Sequence, residues 1–132
     1  MLRLADWFLI LFHTSLVLFN AIGWIWRKTR PWHLATLAAT AFSWFILGIW
    51  FGQGYCLCTD IHWRVREALG QPIHDKGYIQ FLVHSLTGWQ PDAHLTETVT
   101  ATVFAVSVVL SVVLNIRDTL QNRRKRIRAS AT

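Results

Sequence analysis

Charged residues are scarce in this chain, and the motifs of familiar enzymes are missing. Only 15% of its 132 residues are charged, whereas 53% are hydrophobic, and this balance argues against an ordinary soluble protein. The sequence has no phosphate-binding glycine loop, no serine nucleophile motif and no closely spaced carboxylate pair, so the common hydrolase chemistries lack support. It has two cysteines, whereas membrane disulfide oxidoreductases usually need a second pair to pass electrons on.

Three long apolar runs dominate what is present; the first two have no charged residue, and the third contains Glu97. They cover residues 7–26, 34–51 and 95–116, and each is close to the roughly twenty residues with which a helix crosses the hydrocarbon of a bilayer. Eight tryptophans suit the boundary between lipid and water. We therefore expect an all-α integral membrane protein with three transmembrane helices, in which residues 1–120 form one domain and residues 121–132 a basic tail.

Basic residues are unevenly divided between the two ends of these runs. Nine of the thirteen lie on one side, three within 27–30 and six within 117–128, and Asp118 is the one acid beside them. The other side has four basic and six acidic residues. Because basic residues hold short loops in the cytoplasm, we expect the amino terminus and residues 52–94 outside, and the carboxyl terminus in the cytoplasm.

The distribution of basic residues also indicates the partners of the protein. We expect it to contact the lipid bilayer, and it could also associate with other membrane subunits or with further copies of itself in a homo-oligomer. Nucleic acid is not expected, because the basic residues flank apolar spans instead of forming a stripe on a soluble fold.

Two short amphipathic helices are predicted in the outer segment. Asp60 is the expected N-cap of a helix over residues 61–69, and a second helix follows over residues 77–86. Both are too short to span a bilayer, so we expect them on the outer face. In the first, the apolar side chains share one face and the polar ones lie away from it: Ile61, Val65, Ala68 and Leu69 against His62, Arg66 and Glu67.

A polar stripe marks the first run. Asp6, His13, Asn20 and Arg27 recur at every seventh residue, and seven residues make nearly two helical turns, so the four share one face. His13 and Asn20 fall within the membrane, where polar groups face the bundle interior, either as interhelical contacts or as functional groups. His33 is expected as an ordinary anchor at the membrane boundary.

The stretch from Gly52 to Trp63, GQGYCLCTDIHW, holds both cysteines of the chain. Three interpretations are open. Cys56, Cys58 and His62 are potential ligands for Zn or Cu, with Asp60 or another histidine completing a tetrahedral set. Alternatively, the two cysteines cycle between dithiol and disulfide, or the stretch is purely structural. A haem is not expected, because the second and third spans have no histidine at mid-depth to supply a second ligand.

These residues resemble a family of bacterial membrane proteins catalogued as domain of unknown function 2784, particularly its Bacteroidetes-type members. The resemblance covers Phe12 to about Leu86 and rests on the segments HTSLVLFNAIGWIWRKTR, PWHL, GYCLCTDIHW and VREALG. Many relatives have Pro-Leu where this chain has Leu57 and Cys58, so the resemblance implies that the family does not require Cys58. The family has no assigned activity, and the resemblance implies no reaction.

We expect an accessory or ligand-binding subunit whose polar pocket opens to the outer face and is built from His13, Asn20 and the loop that includes Asp60. The ligand is a metal ion, a cofactor or a helix of a partner. The alternative is an enzyme, a membrane thiol or quinone-linked oxidoreductase that uses Cys56 and Cys58.

Overall fold

In the computed structural model, which describes residues 1–71 and 73–131, the chain is folded into five helices. They are α1 (Leu2–Ile22), α2 (Arg30–Phe51), α3 (Leu57–Ala68), α4 (Tyr78–Thr87) and α5 (Ala93–Ser130). No β-strand occurs within the described residues. The helices α1, α2 and α5 are each long and apolar enough to cross a membrane. This confirms the expected all-α membrane architecture with three spans and two short helices.

Two of the long helices end elsewhere than expected. The first span was expected to reach residue 26, but α1 ends at Ile22 because the next residues form turns. Thr29 Oγ1 donates to the carbonyl oxygen of Gly23 at 2.8 Å and holds this turn together. The expected tail is helical as far as Ser130, since its Arg, Lys and Ala residues favour helix, and Thr132 lies outside the described residues.

The interior of the bundle is more polar than its surface. Among the described residues, the buried apolar and aromatic side chains are Leu37, Tyr78 and Phe81, whereas the buried polar ones are Asp6, His13, His33, His62, Asp75, Gln80, Ser107 and Ser111. Large apolar side chains on the long helices point outward and are exposed. This is the distribution of a protein whose solvent is lipid, because apolar surface gains nothing from leaving lipid and polar groups must find partners inside.

His33 joins the three long helices at the end of the bundle far from α3 and α4. Its side chain is fully buried. Its Nε2 lies 3.0 Å from the carbonyl oxygen of Asn20 on α1, and its Nδ1 lies 3.0 Å from Ser111 Oγ on α5. A carbonyl oxygen only accepts, so Nε2 donates and Nδ1 accepts from the hydroxyl. The expected boundary anchor is therefore a buried polar bridge, which the position after Pro31 did not indicate.

A π-helical turn in α2, Phe42–Leu47, attaches the loop that carries the cysteines. Ser43 Oγ in this turn donates to the carbonyl oxygen of Tyr55 at 2.9 Å and accepts from the amide of Leu57 at 3.3 Å. Gly52 and Gly54 have φ angles of +103° and +79°, which favour glycine. Together these contacts and turns direct the loop after α2 back toward α1.

The close contact at Gly23 gives a test of the His33 end. A Cβ atom at Gly23 would lie 2.6 Å from the carbonyl oxygen of Phe19 and 2.8 Å from His33 Cδ2. We expect Gly23→Ala to lower stability by about 1–3 kcal/mol, the usual cost of overpacking, seen as a lower Tm in detergent. Gly77→Ala is the matched control, since a Cβ there meets nothing within 4 Å. An equal Tm for the two variants would contradict the packing described for His33.

Candidate functional site

Cys56 lies at the amino-terminal end of α3. The helix begins four residues before the expected start, at Leu57, because Cys56 is extended and the backbone turns helical directly after it. The amide of Asp60 donates to the carbonyl oxygen of Cys56 at 3.0 Å, so Asp60 is inside the first turn and the prediction that it caps the helix was wrong. Its carboxylate pairs with Arg64 Nε at 3.0 Å.

The thiol of Cys56 contacts His13, the histidine of the polar stripe. Cys56 Sγ lies 3.6 Å from His13 Nε2. The ring of His13 stacks on that of Tyr78, with centroids 3.8 Å apart. Tyr78 is itself fixed, because its hydroxyl donates to the carbonyl oxygen of Ile10 at 3.0 Å and lies 2.8 Å from Thr14 Oγ1. The imidazole of His13 is therefore held in one orientation beneath the thiol.

His62 is buried against α1, on the face of α3 opposite the predicted apolar face. Its side chain is 0% exposed, whereas Ile61 is 43% exposed. His62 Nε2 donates to Asp6 Oδ1 at 2.8 Å, and Arg66 Nη1 lies 3.5 Å from Asp6 Oδ2. The sequence separated the two faces without indicating which of them meets α1, and the structure turns the polar face inward to Asp6, as expected for polar groups in a membrane protein.

We call Asp6, His13, Cys56, His62 and Tyr78 the cysteine–histidine cluster. Burial lowers the pKa of His62, and the positive charge of Arg66 and the nearby His13 lower it further, whereas the bond to Asp6 opposes the shift. His62 is therefore neutral at pH 7 and carries its proton on Nε2, toward Asp6. The Nδ1 atoms of His13 and His62 are buried and have no hydrogen-bond partner among the described residues, an arrangement that is uncommon in proteins.

The two cysteines are free thiols and interact with each other. The hydrogen bond from Cys58 lowers the pKa of Cys56, with further contributions from His13 and Thr59, while burial opposes the shift. The same bond raises the pKa of Cys58. Cys56 is thus the thiolate of the pair and Cys58 keeps its proton, so only Cys56 is a ready nucleophile or metal ligand.

The predicted site residues are only partly brought together. Cys56, Cys58 and His13 lie near one another, and His62 belongs to the same cluster through Asp6 and Tyr78. Asn20 instead donates to Thr40 Oγ1 at 2.9 Å and connects α1 to α2, so it is an interhelical contact. Within the described residues, no group of three or more His, Cys, Asp or Glu side chains is placed to hold a metal ion, and the expected set of Cys56, Cys58 and His62 is not assembled.

Three residues of the site were not singled out from the sequence. Asp6 was noted in the polar stripe, and its spacing from His13 was the signal that the two share a face. Arg66 and Tyr78 gave no such signal, because they contact α1 from two separate helices. In the structure Tyr78 and Phe81 are buried and Leu86 is 77% exposed.

Comparison with known proteins gives one match. A family described as Protein of Unknown function (DUF2784) matches residues 3–116. The match includes the third span, beyond the resemblance between Phe12 and Leu86. No curated protein and no solved structure matches the chain.

The lowered pKa of His62 predicts how stability depends on pH. The unfolded chain binds a proton at His62 near the ordinary pKa of about 6.5, and the folded chain does so only at lower pH. This contribution to stability is therefore complete above about pH 6.5 and is lost as the pH falls below it, by at most about 1.4 kcal/mol per pH unit. We expect the Tm in detergent to fall between pH 7.5 and 5.5, and to fall less in His62→Gln. His94→Gln, at an exposed histidine, serves as the control, and a wild-type slope in His62→Gln would refute the assignment.

Proposed function

The chain belongs to this family of unknown function, and we propose that it is a metal-binding accessory subunit of the bacterial inner membrane, with the cysteine–histidine cluster at the outer face. The orientation is supported by the nine basic residues at the opposite end, beside which Asp118 is the one acid. Arg27 and Arg30 both pair with Asp118, at 3.5 and 2.7 Å, which brings the basic loop and the start of the basic tail to the same end.

The separation of Cys56 Sγ and His13 Nε2 carries the metal proposal. The two atoms are 3.6 Å apart. A thiolate at about 2.3 Å and an imidazole nitrogen at about 2.0–2.1 Å from one tetrahedral ion are separated by about 3.6 Å. The observed spacing is that of a hydrogen bond between thiol and imidazole, and it also suits two ligands of a single ion. Thiolate and imidazole together favour a soft or borderline metal, Cu(I) or Zn(II).

The residues around Cys56 and His13 support the assignment of these two as ligands. His13 is held by Tyr78, so its ring does not need to be ordered when the ion binds. Cys58 lies next to Cys56 and is the nearest source of a third ligand. His62 is oriented by Asp6 through Nε2, in the manner of histidines that bind metals, but the histidine that contacts the Cys56 thiol is His13. The ligands we propose are therefore Cys56 and His13, and Cys58 becomes a third only if its side chain moves, because no group of three is placed for a metal ion among the described residues.

Measuring the metal content of the purified protein tests the proposed site directly. Protein purified in detergent, stripped with a chelator and reloaded with Zn(II) or Cu(I), is expected to hold about one ion per chain after desalting. Cys56→Ser and His13→Gln should each lower the retained metal at least about tenfold. His94→Gln, at an exposed histidine, should retain it. Equal metal in wild type and Cys56→Ser would refute the site, and loss in His62→Gln but not in His13→Gln would assign it to the other histidine.

A second candidate is a thiol oxidoreductase, favoured by the hydrogen bond between Cys58 and the Cys56 thiolate. In this function Cys56 attacks a disulfide of a partner protein, and the displaced sulfur leaves as a thiolate and takes up a proton. Cys58 then loses its proton and attacks Cys56 Sγ, which releases the partner as a dithiol and closes the Cys56–Cys58 disulfide. With a quinone as acceptor, the dithiol gives up two electrons and two protons, and the products are the disulfide and the quinol.

The oxidation state of Cys56 and Cys58 distinguishes this function from metal binding. Metal-free protein treated with oxidised glutathione or a soluble quinone should lose both alkylatable thiols together, and dithiothreitol should restore both, as measured by the mass added on alkylation. Cys58→Ser should keep its remaining thiol free of an internal disulfide under the same treatment. Two thiols that remain alkylatable throughout in the wild type would exclude the oxidoreductase.

A further inference from the structure

A groove lies beside the cluster, between the first half of α1, the end of α3 and α4. Its volume is about 720 Å³, within the range of about 300–1,000 Å³ typical of small-molecule sites. Apolar side chains form most of its wall, among them Trp7, Phe81 and Leu82. Arg3 and Arg66 also line it, and we call it the arginine groove.

The groove has an excess of positive charge, and one of its two arginines, Arg66, is held in place. Its acid, Asp6, is already engaged, with one oxygen on His62 and the other 3.5 Å from Arg66. The guanidinium of Arg66 lies over the ring of Phe81, with its central carbon 5.1 Å from the ring centroid. Its Nε atom is buried without a hydrogen-bond partner among the described residues. With Arg3 added, the two guanidinium groups exceed the charge of Asp6.

The groove extends from the end of α1 along its length. Arg3 is in the first turn, and Ile10, which also lines the groove, is about 10 Å further along the helix at 1.5 Å per residue. Trp7 lies between them and is 65% exposed, and Leu86 on the other rim is 77% exposed. A tryptophan in this position is typical of the boundary between headgroups and hydrocarbon. The charged end is thus at headgroup level, and the apolar wall runs into the depth occupied by acyl chains.

We propose that the arginine groove binds an anionic phospholipid from the surrounding leaflet. Its phosphate lies between Arg3 and Arg66, and an acyl chain follows the wall past Phe81 and Leu82. Guanidinium groups bind phosphate through paired N–H donors, and the apolar wall suits a hydrocarbon chain. A zwitterionic headgroup brings its own cation next to the two arginines, so the anionic lipid is preferred. This lipid site is separate from the metal site of the cluster.

Native mass spectrometry from nanodiscs tests the proposal. Nanodiscs with equal amounts of phosphatidylglycerol and phosphatidylcholine are used, and the lipids retained on the released protein are counted. We expect the wild type to retain phosphatidylglycerol in preference, and Arg3→Gln and Arg66→Gln each to reduce that retention by roughly fivefold. Arg64→Gln is the matched control, because Arg64 is on the same helix as Arg66, is 76% exposed and does not line the groove.

A second variant tests the apolar half of the site. Leu82→Trp places a larger side chain in the groove while both arginines remain, and we expect it to abolish retention. Arg3→Gln, at an exposed position, keeps the test valid if loss of the Arg66 contact to Asp6 unfolds the protein. Equal retention of the two lipids by the wild type, an equal loss in Arg64→Gln, or full retention in Leu82→Trp would each overturn the proposal.

Discussion

The hydrogen bond from His62 to Asp6 is the contact on which the cysteine-bearing end of the bundle depends. A helix as short as α3 is only marginally stable alone, and the apolar side chains it exposes gain nothing by packing if lipid surrounds them. The buried imidazole and carboxylate are each costly without the other, since a buried donor or acceptor left without its partner typically costs about 1–3 kcal/mol. The bond therefore fixes the rotation of α3, and that rotation brings Cys56 over His13.

The two ends of the bundle use buried histidines differently. At one end, both ring nitrogens of His33 have partners, on α1 and α5, and a fully satisfied polar bridge holds helices together without leaving an atom for a ligand. At the other end, His13 and His62 each keep one buried nitrogen without a partner among the described residues. This difference is why we assign structure to His33 and function to the cluster.

The spans could be predicted from sequence because the length of an apolar run is a direct measure of what crosses a bilayer. The rotation of the short helices about their own axes could not be predicted from the sequence. The rule that apolar faces pack inward requires water outside, and for α3 the residue that turned inward was His62, with Ile61 left exposed. The heptad stripe brought Asp6 and His13 to one face, but their partners Arg66 and Tyr78 come from separate helices, and no local pattern encodes that meeting.

Asp6 belongs to both the cluster and the arginine groove, so the two sites are physically connected. One of its oxygens holds His62 and the other faces Arg66. The positive charge of Arg66 is one of the causes that lower the pKa of His62. A phosphate bound in the groove would compensate that charge, and this favours protonation of His62 beside Asp6. A phosphate bound in the groove would thus alter the electrostatic environment of the cluster.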